Sequence, residues 1–299
     1  MTLSRMTLGT VQLGMNYGVA NTHGQPSRDE SFSLLDKALT GGVNCLDTAR
    51  HYGDSERILG EYLSSQKTKD TLIVTKFKLE NACRNAADVL KSIRESVDES
   101  RRLLGLERLP LLLLHNADDM HALDGAVPTA LRELKALGLV DRLGVSVYEG
   151  AQVDAMLNDD LYEAVQIPMN VLDSRLIEGG QMKRLRDAGI AVFVRSVFLQ
   201  GVFHMRDLPP GFSAAKEPVE RLRRLAERAG CSVPQLALIY IRDMPGISSL
   251  VLGSETAQQV SENLDMFDMA PLRQEITDEI SEIARVTPIR EIMRELLAR

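Results

Sequence analysis

The sequence is poor in residue types that mark several protein classes. It contains no tryptophan, only 4% aromatic residues and three cysteines in 299 residues. Those cysteines, Cys45, Cys83 and Cys231, are widely spaced and form no Cys-x-x-Cys pair, which argues against a disulfide framework and favours a reducing compartment. We therefore expect the protein to be cytoplasmic. Cys45 lies in a predicted strand, and we expect it to be a small core residue.

The chain also lacks an excess of cations and any long apolar run. Its formal net charge is -7, which argues against partners such as nucleic acids or anionic membranes. No apolar run approaches the roughly 18 residues that a membrane span needs, and residues 1–6 carry no apolar stretch of a signal peptide. We expect a small-molecule partner, and the sequence leaves the oligomeric state open.

Several local motifs are missing as well. The sequence has no Gly-x-Gly-x-x-Gly turn, no Gly-x-x-x-x-Gly-Lys loop and no His-Glu-x-x-His. The first absence disfavours an open doubly wound sheet, which usually carries that turn after its first strand. No set of residues predicts a metal site.

What the sequence does contain is an alternation of short apolar runs and longer amphipathic segments. Eight runs are predicted as strands, near residues 5–9, 43–46, 72–76, 109–115, 140–145, 164–167, 190–195 and 249–252. Helices are predicted between and after them, at 29–39, 54–63, 85–104, 125–137, 149–157, 173–188, 217–229, 233–243, 255–265, 273–285 and 288–298. Continuous apolar runs indicate parallel strands buried on both faces. We predict an α/β fold, a single-domain (β/α)8 TIM barrel spanning residues 1–299, with long loops at 10–28 and 197–216.

Nearly every predicted strand ends in a small or polar group. These groups are Gly9-Thr10, Asp47, Lys76, His115, Ser146, Gln166, Ser196 and Gly253-Ser254. The carboxyl ends of barrel strands form the face that carries active sites, so the series predicts a ligand site there.

Four of the polar residues near these ends suit proton transfer. A tyrosine phenol is a weak acid at neutral pH, and a nearby ammonium stabilises the phenolate. Lys76 can supply that charge to Tyr52, Asp47 can keep Lys76 charged, and His115 can donate a hydrogen bond to a carbonyl oxygen. Taken singly, each has a plainer interpretation: Asp47 as a cap, Lys76 as a solvated strand end, Tyr52 as half-buried and His115 as a core histidine.

Taken together, the motifs resemble the aldo-keto reductase family almost from end to end. The most specific motif is Asp47-Thr48-Ala49 with Tyr52-Gly53 and Ser55-Glu56. The other motifs, in chain order, are Leu8-Gly9-Thr10, Val74-Thr75-Lys76, Leu114-His115-Asn116, Gly144-Val145-Ser146, Gln166-Ile167-Pro168-Met169-Asn170 and Leu252-Gly253-Ser254. The resemblance implies a nicotinamide cofactor and a catalytic tetrad of Asp47, Tyr52, Lys76 and His115, with Tyr52 as the proton donor. It also implies the cofactor-binding residues Gly9, Thr10, Ser146, Gln166, Asn170, Arg195, Ser196, Gly201, Gly253, Ser254, Glu255, Gln259, Glu262 and Asn263, of which Ser146, Gln166 and Asn170 would contact the carboxamide.

Three features depart from the family pattern. Arg195 stands where relatives usually carry an aromatic ring that stacks on the nicotinamide; a guanidinium can stack too, or reach a substrate anion. The segment 253–259 has no cation for a 2′-phosphate and carries Glu255, so the sequence leaves NADP(H) and NAD(H) about equally open. The scarcity of aromatic residues favours a polar or sugar-like substrate.

The resulting expectation is an NAD(P)(H)-dependent oxidoreductase that interconverts a carbonyl and an alcohol, with the physiological direction left open. Two alternatives remain at this stage. One is a non-catalytic, nucleotide-binding regulatory subunit of the same type. The other is a lyase that uses Lys76 as a Schiff-base nucleophile.

Overall fold

Eight parallel strands close into a barrel in which each strand pairs with its neighbours in sequence and β8 returns to β1. The computed structural model describes residues 2–19, 21, 23–65, 71–80, 82–208 and 211–297. The strands are β1 (Met6–Gly9), β2 (Cys45–Asp47), β3 (Leu72–Phe77), β4 (Leu109–Leu114), β5 (Val140–Ser146), β6 (Ala164–Pro168), β7 (Ala191–Arg195) and β8 (Ser249–Gly253). The predicted single-domain (β/α)8 barrel is confirmed.

Apolar side chains fill the barrel below its polar mouth. Alternation along a strand puts Cys45 on the same face of β2 as Asp47, and Val74 on the same face of β3 as Lys76. The interior cluster consists of Cys45, Val74, Leu111, Leu113, Ala164 and Phe193. Cys45 is fully buried, as expected of a core residue, and burial raises the pKa of its thiol to about 12. Asp47 and Lys76, which lie two residues further along their strands, are therefore packed on this apolar cluster.

Helices cover the outside of the barrel. They are α1 (Val11–Gly14), α2 (Arg28–Thr40), α3 (Ser55–Ser65), α4 (Ala86–Leu104), α5 (Ala126–Ala136), α6 (Gly150–Met156), α7 (Arg175–Glu178), α8 (Gln181–Asp187), α9 (Ser213–Ala229), α10 (Val233–Arg242), α11 (Ala257–Phe267), α12 (Gln274–Val286) and α13 (Ile289–Leu297). Short 3-10 segments cover Ala117–Gly125 and Leu199–His204. In the described part of the chain, no helix is both long and apolar enough to cross a membrane.

Two predicted helices differ from the observed ones. The segment 173–188 contains two short helices rather than one, because the chain breaks at Gly179-Gly180 and Gly180 has a left-handed φ of 75°. Helix α9 begins at Ser213, four residues before the predicted start. The carboxylate of Glu295 on α13 accepts hydrogen bonds from the Ser213 hydroxyl and the Ala214 amide. This tertiary contact satisfies a backbone amide that the first turn of the helix leaves without a partner inside the helix.

A second apolar cluster anchors the loop that follows β7. Leu199, Val202 and Phe203 from this loop pack with residues of α9, α10, α12 and α13. The long loop predicted at 197–216 therefore packs against the helical layer, and it ends where α9 begins, at Ser213. Pro209 and Pro210 in this loop, and residue 298 of the last predicted helix, lie outside the described residues.

Candidate active site

Lys76 and Asp47 form a buried ion pair at the mouth of the barrel. The Lys76 Nζ lies 2.7 Å from Oδ2 of Asp47 and also donates to the carbonyl oxygen of Thr48 at 2.9 Å. The Lys76 side chain is 0% exposed and that of Asp47 is 5% exposed, so the plainer interpretation of Lys76 as a solvated strand end is wrong. Burial alone would lower the pKa of Lys76, but the Asp47 carboxylate and the Tyr52 phenol outweigh burial and raise it. Lys76 is therefore an ammonium at neutral pH.

Asp47 is held from a second side by Gln166. The Gln166 amide nitrogen donates to the Asp47 Oδ1 at 2.7 Å, so both carboxylate oxygens have partners on other strands. Asp47 is therefore not a helix or loop cap. The Gln166 side chain, which was expected to contact the carboxamide of the cofactor, thus also positions the Asp47 carboxylate.

Tyr52 brings its hydroxyl over this ion pair. The Lys76 Nζ lies 3.4 Å from the Tyr52 oxygen and 4.8 Å from its ring centroid. The loop reaches this position because Gly53, with φ of 51°, packs against Gly14 of α1. A Cβ on either glycine would overlap the backbone carbonyl of the opposite segment, so the glycine pair sets where Tyr52 sits.

His115 faces the same phenol from the end of β4. Its ring lies edge-on to Tyr52, with centroids 5.7 Å apart and an interplanar angle of 81°. Burial, followed by the charge of Lys76, lowers the pKa of His115 to about 3. The imidazole is therefore neutral at physiological pH, where one ring nitrogen donates a hydrogen bond and the other accepts one. The structure thus brings all four members of the predicted tetrad together.

Buried polar residues between the strands brace the loop that carries Tyr52. The Ser55 hydroxyl lies 2.8 Å from that of Thr10 and 2.9 Å from that of Thr48. The Glu56 carboxylate accepts a hydrogen bond from the Thr75 hydroxyl at 2.7 Å and pairs with Arg50 at 2.7 Å. Thr10 therefore supports this loop as well as the cleft.

A cleft of about 360 Å³ extends from this mouth across the ends of β1, β7 and β8. Among the predicted residues, those on its wall are Asp47, Tyr52, Gly9, Thr10, Gln166, Arg195, Ser196, Gly201, Gly253, Glu255, Gln259, Glu262 and Asn263. Five predicted residues are not part of this wall, namely Lys76, His115, Ser146, Asn170 and Ser254.

The last three of these are buried hydrogen-bonding groups. The Asn170 side chain accepts from the Leu172 amide at 2.9 Å, and the Ser254 hydroxyl accepts from the Asn263 amide nitrogen at 3.1 Å. Ser146 is buried at the end of β5, beside Gln166 in the strand register. Ser254 thus supports Asn263, which lines the cleft, whereas Asn170 holds the backbone after β6.

The loop after β7 has an unusual backbone. Ser196, Leu199 and Gln200 have φ of 64°, 50° and 54°, in the left-handed region that non-glycine residues rarely adopt. Such conformations persist where the surroundings over-determine them, and they cluster at functional sites. Here the loop's anchoring apolar cluster supplies that constraint, and the strained segment lines the cleft.

The far end of the cleft is poor in cations. His23 Nδ1 lies 3.2 Å from a carboxylate oxygen of Glu255, which joins the loop after β1 to the loop after β8. The Gln259 side chain accepts from the Glu255 amide at 2.7 Å. In the described portion of the wall, the only lysine or arginine is Arg195, at the other end.

Several cleft residues were missed by the sequence interpretation. They are Gln12, Tyr17, Asn21, His23, Phe198, Gln200 and His204. Four of them come from the loop predicted at 10–28, whose Gly- and Asn-rich composition was the available signal. Which side chains of that loop would face the cleft was not readable from local sequence, because the loop has no periodicity.

Comparisons with known proteins agree with this geometry. The family model described as the aldo/keto reductase family matches residues 5–285. The NADH-specific methylglyoxal reductase of Escherichia coli (strain K12) is 26% identical over 297 residues, which cover 88% of this chain and 89% of that protein. D-threo-aldose 1-dehydrogenase of Pseudomonas sp is 30% identical over 182 residues, covering 51% of this chain and 53% of its own.

A solved structure extends the likeness to three dimensions. The glycerol dehydrogenase from Gluconobacter oxydans superposes with a TM-score of 0.77 at 25% identity, covering 96% of this chain and 93% of that one. The family model covers most of the sequence, and the barrel has the expected strand-end residues. This chain belongs to the aldo/keto reductase family of oxidoreductases.

Proposed function

We propose that the chain is a nicotinamide-dependent oxidoreductase that interconverts a carbonyl and an alcohol, with Tyr52 as general acid and base. The observation that carries the proposal is the Lys76 ammonium, which contacts Asp47 at 2.7 Å and the Tyr52 oxygen at 3.4 Å. A fixed cation beside a phenol stabilises negative charge on its oxygen, which an otherwise sluggish proton donor requires.

The chemistry of the cleft wall fits a dinucleotide. The Gln12 Oε1 is buried in this wall and has no hydrogen-bond partner among the described residues, and a Cβ on Gly253 would collide with the same side chain. Of the residues expected at the carboxamide, Gln166 would hold it from the wall, whereas Ser146 and Asn170 are buried outside the wall. Ser196 and Gly201 would hold the middle of the cofactor. The adenosine end would lie against Gly253, Glu255, Gln259, Glu262 and Asn263, with Ser254 supporting Asn263. When bound, the nicotinamide supplies the hydride that reduces a carbonyl carbon.

The protein's own groups manage the proton. Tyr52 donates its hydroxyl proton to the carbonyl oxygen, while Lys76, kept charged by Asp47, stabilises the phenolate left behind. Neutral His115 donates a hydrogen bond that orients the oxygen, and Gln166 keeps Asp47 in place. Oxidation of an alcohol follows the same path in reverse.

We infer that NADH is the preferred cofactor. Glu255 at the adenosine end would repel a 2′-phosphate, and the described wall offers no lysine or arginine there to bind one. The E. coli relative is described as NADH-specific, which supports the same inference.

A small polar carbonyl compound is the substrate class that the cleft supports best. The side chains near Tyr52 are polar or charged, and include Gln166, Tyr17 and Arg195. Three relatives are described as acting on methylglyoxal, D-threo-aldose and glycerol, which are small polar compounds, whereas others are described as acting on aryl alcohols or norsolorinic acid.

The alternative of a Schiff-base lyase fits the site poorly. Its nucleophile would be a neutral amine, but Lys76 is fully buried, paired with Asp47, and has a raised pKa. A regulatory subunit that only binds nucleotide would leave the proton-transfer groups without a role.

The test is a panel of aldehydes, ketones, polyols and sugars, followed through nicotinamide absorbance with NADH and with NADPH. We expect turnover of small polar carbonyl compounds, faster with NADH. Cofactor binding without turnover of any panel member would instead support the regulatory alternative.

A further inference from the structure

Arg195 presents a cation to the substrate end of the cleft. It ends β7 and lies in the same wall as Tyr52 and Tyr17. After burial and the charges of Lys76 and His51, the charge of Arg195 also lowers the pKa of His115. Burial raises the pKa of Tyr17, and the charge of Arg195 opposes that rise. The guanidinium therefore acts on the groups that surround the reacting end of the cleft.

This cation has no carboxylate partner within 4.0 Å in the described part of the chain. Lys76 and Arg50 do have one, since Lys76 is paired with Asp47 and Arg50 with Glu56. Among the described residues, Arg195 makes two long hydrogen bonds, 3.4 Å to the Ser196 hydroxyl and 3.3 Å to the carbonyl oxygen of Val147. Its guanidinium is thus not in direct contact with a carboxylate of the described residues.

The guanidinium also has an aromatic neighbour. Its Cζ lies 4.4 Å from the ring centroid of Tyr148, a cation–π contact that restrains the group. A guanidinium carries five N–H donors, more than its two hydrogen bonds here use, and its planar fork matches the two oxygens of a carboxylate or a phosphate. Restraining the side chain lowers the entropy lost when an anion binds.

We propose that Arg195 binds an anionic group of the substrate, so that the preferred carbonyl compounds carry a carboxylate or a phosphate. The inference rests on the proposed function and narrows its substrate class. Arg195 is then a specificity residue of the substrate site rather than the stacking partner of the nicotinamide that the sequence interpretation left open.

Matched pairs of ligands test this assignment. We would titrate 4-oxobutanoate and its methyl ester, and glyceraldehyde 3-phosphate and glyceraldehyde, into the chain saturated with NAD⁺, by calorimetry. The anionic member of at least one pair should bind about tenfold tighter or more, equivalent to about 1.4 kcal/mol. The pair with the larger ratio tells carboxylate from phosphate.

Variants locate the preference. Arg195→Gln should abolish the preference for the anionic ligand of each pair, while changing the affinity of the uncharged ligand by less than about twofold. Arg195→Lys should retain part of the preference. Arg132→Gln, which removes an exposed cation paired with Asp159 on the outside of the barrel, is the control and should keep the full ratio.

Three outcomes would overturn the proposal: no anion preference in the unmodified chain, a preference that survives Arg195→Gln, or a variant that weakens NAD⁺ binding with the ratio unchanged. The last outcome would assign Arg195 to the cofactor. Turnover with NADH is measured separately, so a chain that reduces no carbonyl would contradict the proposed function without altering the binding ratio.

Discussion

The two ends of the cleft are built differently. At the barrel mouth, Lys76, Asp47 and Gln166 come from the ends of three strands and are almost fully buried. At the far end, the hydrogen-bond contact between His23 and Glu255 joins two loops, and the His23 side chain is 62% exposed. A buried charge must be fully paired, whereas an exposed pair contributes little to stability.

This contrast suggests that the barrel mouth serves the chemical step and that the far end of the cleft serves the selection of the cofactor. Proton transfer needs atoms held to within fractions of an ångström, which strand ends supply because the closed sheet fixes them. Selection between related cofactors needs only a difference in charge, which a loop residue can provide and change. We therefore expect substitutions at the mouth to have large effects on rate or stability, and substitutions at the far end to have small, selective ones.

The largest expected effect is on catalysis at the mouth. Tyr52→Phe removes the proposed proton donor and should reduce carbonyl turnover by about 10²–10⁴-fold, while fold and cofactor binding persist. Steady-state rates with NADH measure the loss, and Tyr240→Phe, whose hydroxyl meets Ser281 on the outer layer, is the control. Near-normal turnover by folded Tyr52→Phe would remove Tyr52 from the mechanism.

The next effect is on stability at the same place. Lys76→Met leaves the Asp47 carboxylate buried with only Gln166 as a partner, and should lower the free energy of unfolding by about 3–5 kcal/mol. Urea denaturation measures the loss, with exposed Lys91→Met as the control. The double variant Asp47→Leu/Lys76→Met should recover much of it, because no unpaired charge remains. A loss below about 1 kcal/mol in the single variant would mean that water reaches the pair.

His115 should make the stability of the protein depend on pH in the acidic range. Its folded-state pKa of about 3 lies below the value near 6.5 of an unfolded histidine. Between these values the unfolded chain binds a proton that the native chain does not, so stability rises with pH and falls on acidification. His115→Gln should reduce that slope by up to about 1.4 kcal/mol per pH unit.

Denaturation at pH values between about 3.5 and 6.5 measures the slope, and exposed His121→Gln is the matched control. Equal slopes for His115→Gln and the unmodified chain would mean that the imidazole is solvated and titrates normally.

The smallest effect is expected at the far end. Glu255→Arg replaces repulsion of a 2′-phosphate with attraction, and should move the NADPH:NADH affinity ratio toward NADPH by about tenfold or more. Dissociation constants of both cofactors measure it, and high salt should shrink the shift. Glu282→Arg, at an exposed site on α12, should leave the ratio unchanged. An unchanged ratio in Glu255→Arg would place the ribose elsewhere.

Local patterns predicted most of the architecture. All eight strands were predicted to within two residues at each end, because buried parallel strands are continuous apolar runs bounded by turn residues. The errors in helices came from non-local causes or turn geometry. The early start of α9 depends on Glu295 at the other end of the chain, and the break before α8 on a left-handed glycine.

The sequence by itself determined the barrel and the polar groups at its strand ends, because periodicity and residue type are local properties. Only the tertiary structure decided which of those groups meet. Gln166 bonds to Asp47 across 119 residues, and His23 reaches Glu255 across 232. The tertiary structure also places Arg195 against the ring of Tyr148, with no carboxylate within 4.0 Å among the described residues. Such contacts follow from strand register and barrel closure, which join distant segments and leave no trace in the spacing of neighbouring residues.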